Sequence, residues 1–237
     1  MVDLKISAGS YDLNRFLSGG YEKDIITTIY GPAGSGKTNF CMLAAVSQAK
    51  KGKKVIFVDT EGGFSVERIK QISEGEYDSI IKNIILMKPT SFEEQKKSFN
   101  LLVKEIKKPD IGLVIVDGIT MLYRLEISSK SDIQELNREL ARQLRTLSEI
   151  SRNKFIPILV TNQVYYEFLP EHEFKEGKER SAKMAGGDLL KYWSKCLIEL
   201  KNDNGKRTAI LKKHRSLPEK SLNFTIDNKG IRRKGFF

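Results

Sequence analysis

The chain has few of the residues that would indicate a disulfide-rich, metal-binding or membrane protein. Its 237 residues include two cysteines, two histidines, six prolines and one tryptophan. Cys41 and Cys196 have no metal-ligand spacing and form no disulfide framework, so both are predicted to pack as small hydrophobic side chains. No apolar run reaches the roughly 20 residues of a membrane-spanning helix, and the N-terminus lacks the pattern of a signal peptide. These absences predict a cytoplasmic protein without a membrane partner.

Acidic residues are also in the minority. Aspartate and glutamate number 30 against 41 lysines and arginines, which gives a formal net charge of +11. This excess is compatible with binding to nucleic acid. Lysine is spread along the chain and mixed with glutamate, however, as in the lysine-rich proteomes of thermophiles. The charge therefore leaves both interpretations open, while the hydrophobic content of 40% indicates a folded globular protein.

One octapeptide carries most of the information about function. It fits the pattern G-x-x-x-x-G-K-[ST] of a phosphate-binding loop, and its residues are Gly31, Pro32, Ala33, Gly34, Ser35, Gly36, Lys37 and Thr38. A β-branched run precedes the loop and a helical pattern follows it, which is the context that the motif requires. The loop N–H groups and the positive end of the helix would hold phosphates. Lys37 would contact the β- and γ-phosphates of ATP, and the Thr38 hydroxyl would bind Mg²⁺.

Apolar runs alternate with helical patterns over the first two thirds of the chain. Buried strands are predicted at 25–30, 55–59, 84–87, 113–117 and 158–162, and helices at 39–51, 92–107 and 131–154. This alternation is typical of a parallel sheet with crossover helices. Shorter strands separated by turn signals follow at 195–200, 208–212 and 222–226. Because no linker divides the chain, we predict a single α/β domain, residues 1–237, whose mostly parallel central sheet is extended by C-terminal antiparallel strands.

Polar side chains follow three of the predicted strands, at the edge where open parallel sheets bind ligands. Asp117 ends one strand and is the natural second contact for Mg²⁺. Glu61 follows another strand and is the candidate base that would orient the water attacking the γ-phosphate. Its competitor Asp59 is expected to be buried and hydrogen-bonded. Gln163 follows a third strand, where its amide would sense the γ-phosphate, although each of these residues has a simpler interpretation as a strand-end or turn residue.

Several segments, in their order and spacing, resemble the RecA-type recombinases. The similarity is greatest to the archaeal RadA/Rad51 group and to its shorter paralogue RadB. Residues 6–20 resemble the family's lead-in, residues 59–69 its D-T-E-x-x-F-x-P-E-R segment, and residues 156–164 its I-P-V-x-x-x-N-Q-V segment. The resemblance covers essentially the whole chain, with residues 1–24 as the lead-in. It implies a RecA-like P-loop NTPase core with ATP and Mg²⁺ as cofactors, and catalytic functions for Lys37, Glu61 and Gln163.

The resemblance also implies functions outside the phosphate loop. Arg68 would stack on adenine, with a helix-surface arginine as the simpler alternative. Two loops, at 125–132 and 164–187, would face DNA. The candidate DNA-binding residues in and beside them are Arg124, Lys130, Tyr165, Tyr166, Lys175, Lys178, Arg180 and Lys183. The tyrosines would either stack on bases or pack the loop onto the core.

A second resemblance involves the tripeptide Lys213-His214-Arg215. It has the K-x-R form of KaiC-like proteins and hexameric helicases, in which this element reaches ATP on a neighbouring subunit. Lys213 and Arg215 are therefore candidate nucleotide contacts within a homo-oligomer, where a cation supplied in trans would stabilise the charge of the transition state. The alternative is a basic strand end exposed to solvent.

Taken as a whole, the resemblance implies an accessory factor of homologous recombination and DNA repair. Such a factor would be a weak ATPase at the nucleoid that binds single-stranded or junction DNA and acts with the main recombinase RadA and a Holliday-junction resolvase. Full recombinases carry an N-terminal helix-hairpin-helix domain and a docking linker, which this sequence lacks, so autonomous long filaments are not expected. Two alternatives are a KaiC-like signalling ATPase that acts on proteins without DNA, and an ATP-binding module with vestigial hydrolysis.

Overall fold

Helices and strands alternate along the chain in a computed structural model, which describes residues 4–127, 133–166, 182–184 and 186–235. The helices are α1 (Tyr11–Phe16), α2 (Lys37–Ala49), α3 (Val66–Ile72), α4 (Tyr77–Ile81), α5 (Phe92–Glu105), α6 (Met121–Ile127), α7 (Ile133–Lys154) and α8 (Gly187–Trp193). The strands are β1 (Lys5–Ile6), β2 (Tyr21–Glu22), β3 (Ile26–Gly31), β4 (Lys54–Asp59), β5 (Ile84–Met87), β6 (Ile111–Asp117), β7 (Ile158–Tyr166), β8 (Ala182–Met184), β9 (Cys196–Asp203), β10 (Lys206–Lys213), β11 (Lys220–Asp227) and β12 (Gly230–Arg233).

The described strands form one large sheet and a small two-stranded one. The large sheet has the order β12-β11-β10-β9-β3-β7-β6-β4-β5, and β8 pairs with β7 outside that path. The strands from β9 to β5 in this order pair in parallel, whereas β10, β11 and β12 are antiparallel hairpin strands. The predicted α/β class, with a mostly parallel sheet and C-terminal antiparallel strands, is therefore confirmed.

Two hydrophobic layers cover the sheet unequally. The first packs α2 and its neighbours against one face, and it includes buried residues of β9 to β12 such as Leu200, Ala209 and Phe224. The second layer, which contains Leu140 and Leu144 of α7, covers the other face of the parallel strands. No described residue of β9 to β12 belongs to this second layer. Among the described elements, no helix contributes a hydrophobic layer to that face of the C-terminal strands.

Four parallel strands meet at the edge that carries the phosphate loop. In register, Gly31 of β3 lies beside Gln163 of β7, and Asp59 of β4 lies beside Asp117 of β6. Most interior residues of these strands are apolar and belong to the two hydrophobic layers, because helices cover both sides of the sheet. The polar residues at the strand ends are thereby gathered into one cleft, as expected for an open parallel sheet.

Both segments predicted as DNA-facing loops are shorter than expected. Leu125 to Ile127 continue α6, while Val164 to Tyr166 continue β7 and Ala182 to Met184 pair with them as β8. Gly187 already belongs to α8. The charged residues of the second segment obscured the pattern at its ends, where buried Val164 is followed by exposed Tyr165 as in a strand. Of the DNA-binding candidates, Lys130, Lys175, Lys178 and Arg180 lie outside the described residues.

The two cysteines pack as predicted. Cys41 in α2 and Cys196 in β9 are free and buried, and burial raises the pKa of both thiols. Among the residues described, the search for a helix with the length and apolarity to cross a bilayer found none.

Candidate nucleotide-binding site

The phosphate loop connects the end of β3 to the start of α2. Gly36 adopts a φ of +108° immediately before Lys37, a backbone conformation that favours glycine. The Lys37 side chain is only 6% exposed, and its Nζ donates to the carbonyl oxygens of Gly31 at 3.1 Å and Pro32 at 3.0 Å. Burial lowers the pKa of Lys37, and the charges of Glu61 and Asp117 oppose that effect. The ammonium group is thus held over the loop, close to where a bound phosphate would lie.

A short hydrogen-bonded chain joins the loop to the end of β6. Thr38 Oγ1 donates to Asp117 Oδ2 at 2.7 Å, and Thr161 Oγ1 donates to Asp117 Oδ1 at 2.5 Å. The Thr161 hydroxyl in turn accepts from the backbone N–H of Gly118 at 2.7 Å. Burial raises the pKa of Asp117, and the hydrogen bonds from Thr161 and Thr38 oppose this rise. Both carboxylate oxygens are therefore oriented, with Oδ2 directed to the hydroxyl of the loop.

Glu61 lies against the segment that follows Asp117. Gly118 has a φ of +85°, and a Cβ built there would lie 2.6 Å from Glu61 Cγ and 2.5 Å from Thr60 Oγ1. Glycine at this position thus leaves room for the glutamate. The pKa of the exposed Glu61 is raised, first by partial desolvation of its carboxyl group and then by the charge of Asp117.

The competing carboxylate is already engaged. Asp59 is 2% exposed and accepts from the backbone N–H groups of Gly63 and Phe64, both at 3.0 Å. The expectation that Asp59 is buried and hydrogen-bonded is confirmed. Its oxygens fix the turn that carries Glu61, which leaves Glu61 as the carboxylate available to a water in the cleft.

The end of β7 contributes three polar residues in a row. Thr161 contacts Asp117 as described, and buried Asn162 accepts at Oδ1 from Thr120 Oγ1 at 2.6 Å. Gln163 is half-buried and lies in register with Gly31. The predicted sensor is therefore placed at the edge of the phosphate loop, on the strand that continues to Tyr166.

Arg68 in α3 holds together parts of the structure that are distant in sequence. Its Nε donates to Asn39 Oδ1 at 2.8 Å, and its Nη1 donates to Gln71 Oε1 at 2.9 Å and to the Asp227 carbonyl at 2.7 Å. Burial lowers the pKa of the guanidinium. The side chain thus links α2 and α3 to the turn between β11 and β12, and it is not simply a helix-surface arginine.

The K-x-R element lies at the opposite edge of the sheet from the phosphate loop of its own chain. Arg215 makes a two-pronged ion pair with Asp24, at 2.8 and 3.0 Å, and its Nε lies 2.6 Å from Glu22. Lys213 Nζ donates to the carbonyls of Lys191 and Ser194 at the end of α8. Asp24 precedes β3 and Gly31 ends it, so the two edges are roughly 20 Å apart at ~3.3 Å per residue. Neither cation reaches the ATP site of its own chain.

Two of the DNA-binding candidates are in contact. The Arg124 guanidinium lies 4.9 Å from the ring centroid of Tyr165, in a cation–π arrangement, and Tyr165 is 38% exposed. Tyr165 is therefore on the surface of β7 and is not packed into the core. Tyr166 and Lys183 belong to the paired strands β7 and β8.

The residues of this cleft fit a nucleoside triphosphate with Mg²⁺. Within the described part of the chain, buried Ser35 Oγ has no hydrogen-bond partner, and a Cβ added at Gly34 would meet no atom within 4 Å. Both observations suit a loop whose polar groups face an anion. The hydroxyl of Thr38 and the carboxylate of Asp117 are oxygen donors of the kind that Mg²⁺ prefers.

Thr161 is the residue that sequence reasoning missed. The sequence pattern assigns it only to a buried strand, although a hydroxyl in a strand buried on both faces requires a hydrogen-bond partner. The nearest partners at that end of the sheet are the strand-end groups of β6. The run Thr161-Asn162-Gln163 after an apolar strand was therefore the signal, and it indicated a polar network rather than one isolated amide.

This fold and this cleft define a RecA-like α/β protein with a phosphate-binding loop at the carboxyl edge of its sheet. The Rad51 family model matches residues 2–234. The chain therefore belongs to the Rad51 family, which is an ATP-binding family of recombination proteins.

The most similar relatives include archaeal proteins named DNA repair and recombination protein RadB. The protein from Methanobrevibacter smithii is 42% identical over 224 residues, which cover 92% of each chain. The protein from Methanocaldococcus jannaschii is 41% identical over 222 residues, which cover 92% of this chain and 98% of the relative. The solved structure titled "Crystal structure of the RadB recombinase" matches with a TM-score of 0.78 at 34% identity, over 97% of this chain and 100% of the other. The predicted resemblance to RadB within the Rad51 family is confirmed.

Proposed function

We propose that the protein is an ATP-dependent, DNA-binding accessory factor of homologous recombination and repair, with weak ATPase activity that DNA modulates. The observation that supports this proposal most directly is the hydrogen bond of 2.7 Å from Thr38 Oγ1 to Asp117 Oδ2. Lys37 and Glu61 lie in the same cleft, and the chain belongs to the Rad51 family. Similarity to proteins named for DNA repair and recombination supports it and favours it over a KaiC-like signalling ATPase.

The residues of the cleft have distinct functions in the proposed hydrolysis. Bound Mg²⁺ would offset phosphate charge, and Thr38 and Asp117 would hold it. Lys37 would leave the carbonyls of Gly31 and Pro32 and donate to the β- and γ-phosphate oxygens. Glu61 would orient a water for attack on the γ-phosphorus and accept its proton as the bond to the leaving oxygen breaks. Arg68 would form the adenine side of the site, and its contacts with Asn39 of α2 and the Asp227 carbonyl support this proposal.

Nucleotide state would be transmitted along β7. Gln163 lies in register with Gly31 at the phosphate loop, and the same strand carries Tyr165, which contacts Arg124. A hydrogen bond from Gln163 to the γ-phosphate would therefore bias the segment that contains the candidate DNA-binding residues. Ordering of a segment by a γ-phosphate is a common switching device.

The accessory function is tested with the main recombinase, RadA. We expect the purified protein alone to form no D-loops, and we expect D-loop formation by RadA to change when the protein and ATP are added. D-loop formation by the protein alone would contradict an accessory function. Absence of any effect on RadA would contradict the proposed partnership, and a Holliday-junction resolvase would be the next partner to assay.

Thr161 is predicted to position Asp117 for Mg²⁺. Thr161→Val keeps the size of the side chain but removes the hydroxyl that contacts Asp117 and Gly118, whereas Thr161→Ser retains it. Loss of such a supporting hydrogen bond typically costs about 10–100-fold in metal affinity. A magnesium titration of ATP-analogue binding is expected to show that loss for the valine variant and near-normal affinity for the serine variant. Equal magnesium affinity in all three proteins would contradict the assignment.

The K-x-R element is proposed to act on ATP bound by a second copy of the chain. Lys37→Ala removes the phosphate contact, and Arg215→Ala removes the cation that would arrive from the neighbour. We expect each variant alone to be nearly inactive and a mixture of the two to recover part of the turnover. Thermal melting provides the control, because Arg215 also pairs with Asp24 and Glu22. Folded variants without recovery on mixing would contradict the proposal, and normal turnover by Arg215→Ala would do so directly.

A further inference from the structure

The outward face of the C-terminal strands is uncovered and carries excess positive charge. Residues that face the helices, such as Leu200, Ala209 and Leu222, are buried in the first hydrophobic layer. Their neighbours point the other way, where the second layer contributes no described residue. In register, Lys201 of β9 lies beside Thr208 of β10, which lies beside Asn223 of β11. Lys234, just after β12, donates its backbone N–H to the Asn223 carbonyl and so extends the row to the edge.

This row forms the floor of a groove of about 650 Å³. Its lining includes the four cations Lys201, Lys206, Arg207 and Lys234 but only one carboxylate, Asp203. Four like charges in one groove repel each other, and they are stabilised when a polyanion binds.

The groove cations are not neutralised by the protein itself. Within the described ranges, none of the four makes an ion pair. Several cations elsewhere on the surface are paired, as Lys50 is with Glu74 and Arg145 is with Glu149. An ordinary solvated surface would carry acidic and basic side chains in similar numbers, as around those ion pairs. The groove instead has four basic side chains and one acidic side chain.

We propose that this groove, hereafter the β9–β12 groove, binds the sugar-phosphate backbone of DNA. The inference rests on the proposed DNA-binding function and assigns part of the binding to a surface separate from the two predicted loops. From Lys201 to Lys234 the row crosses three strand spacings, about 14 Å at ~4.8 Å each. That distance corresponds to about four phosphate spacings along one strand of a duplex, at ~3.4 Å each.

The composition of the face favours nucleic acid over a protein partner. The exposed large apolar side chains of the described residues all belong to other elements, such as Leu101 of α5 and Tyr192 of α8. Protein interfaces depend on buried aromatic and apolar anchors, which the β9–β12 groove does not offer. Lysines with threonine and asparagine between them are the groups that contact phosphates without reading sequence.

The test compares two triple variants of equal charge change. Lys201→Glu/Lys206→Glu/Lys234→Glu reverses the groove, and Lys97→Glu/Lys104→Glu/Lys107→Glu reverses three exposed lysines in and after α5. Binding of a labelled single strand is measured with ATP·Mg²⁺ over a salt series. The groove variant is expected to bind at least about tenfold more weakly, and its log–log salt slope is expected to be shallower by about 2, since each lost contact contributes ~0.7 for single strands. The α5 variant is expected to bind like the wild type.

Each outcome separates the groove from the proposed function. ATP affinity and melting temperature, measured on both variants, show that the fold and the nucleotide site are intact, and a Lys→Gln triple replaces the groove variant if charge reversal unfolds it. A groove variant that binds DNA with wild-type affinity and slope overturns the inference and leaves the proposed function standing. A groove variant that loses ATP binding while folded assigns the lysines to the nucleotide and also overturns it. If the wild type itself binds no strand, the proposed function fails together with the inference.

Discussion

Replacement of Glu61 by glutamine is expected to lower ATP turnover by at least about 100-fold at saturating ATP, the lower range of general-base contributions. Glutamine keeps the shape that fits against Gly118 but cannot accept a proton from water. Asp59 cannot substitute, because the N–H groups of Gly63 and Phe64 occupy its oxygens. ATP affinity should change little, since glutamine keeps the size of the side chain and Lys37 keeps its position at the phosphate loop.

The matched control is Glu67→Gln, the same change at an exposed position in the first turn of α3. The pH profile adds a second readout. The pKa of Glu61 is raised, so wild-type turnover should fall on acidification at a higher pH than an ordinary glutamate would impose. Unchanged turnover in Glu61→Gln would mean that Glu61 is not the base. An ATP-binding module with vestigial hydrolysis would then be the better interpretation.

Replacement of Lys37 by alanine is expected to weaken ATP binding by roughly 100-fold or more and to make turnover undetectable. A hydrogen bond to a charged group contributes about 1.5–3 kcal/mol, and Lys37 would make such bonds to both the β- and the γ-phosphate. Its ammonium group is buried and already lies 3.0–3.1 Å from two loop carbonyls, so no other cation of the described residues occupies that position.

Lys51→Ala is the control for the Lys37 variant, because Lys51 is an exposed lysine just beyond the other end of α2. Fluorescence titration with an ATP analogue measures both proteins, and melting without nucleotide confirms that they fold. The melting temperature of the Lys37 variant should not rise when ATP·Mg²⁺ is added, whereas that of the control should rise as much as that of the wild type. Nucleotide affinity near that of the wild type in Lys37→Ala would contradict the phosphate-loop assignment.

The strands and helices that determine the position of the cleft were predictable from sequence. Apolar runs such as 113–117 are continuous because helices cover both faces of the sheet, and this makes the parallel strands easy to identify. The phosphate loop and Asp117 were predictable for the same reason, since ligands bind at the carboxyl edge of such a sheet. The turn that carries Glu61 was predictable because it comes directly after the apolar run of β4.

Contacts between residues distant in sequence were not predictable. Nothing in the sequence around Arg68 indicates that it donates to the carbonyl of Asp227, 159 residues further on. The ion pairs of Arg215 with Glu22 and Asp24 depend on where β10 ends relative to β3, which only the sheet order determines. The β9–β12 groove likewise depends on which face of the C-terminal strands the helices leave uncovered. A run of charged residues also concealed the end of β7 and the strand β8 at the base of the second predicted loop.

The measurement that tests the central claim most directly is equilibrium binding of a labelled single strand with and without ATP·Mg²⁺, at a stated moderate salt concentration. We expect submicromolar binding that shifts when nucleotide is added. Binding that is absent, or that disappears with modest added salt regardless of nucleotide, would contradict it. The excess positive charge of the chain would then not indicate DNA binding, and a signalling ATPase with protein partners would become the better interpretation.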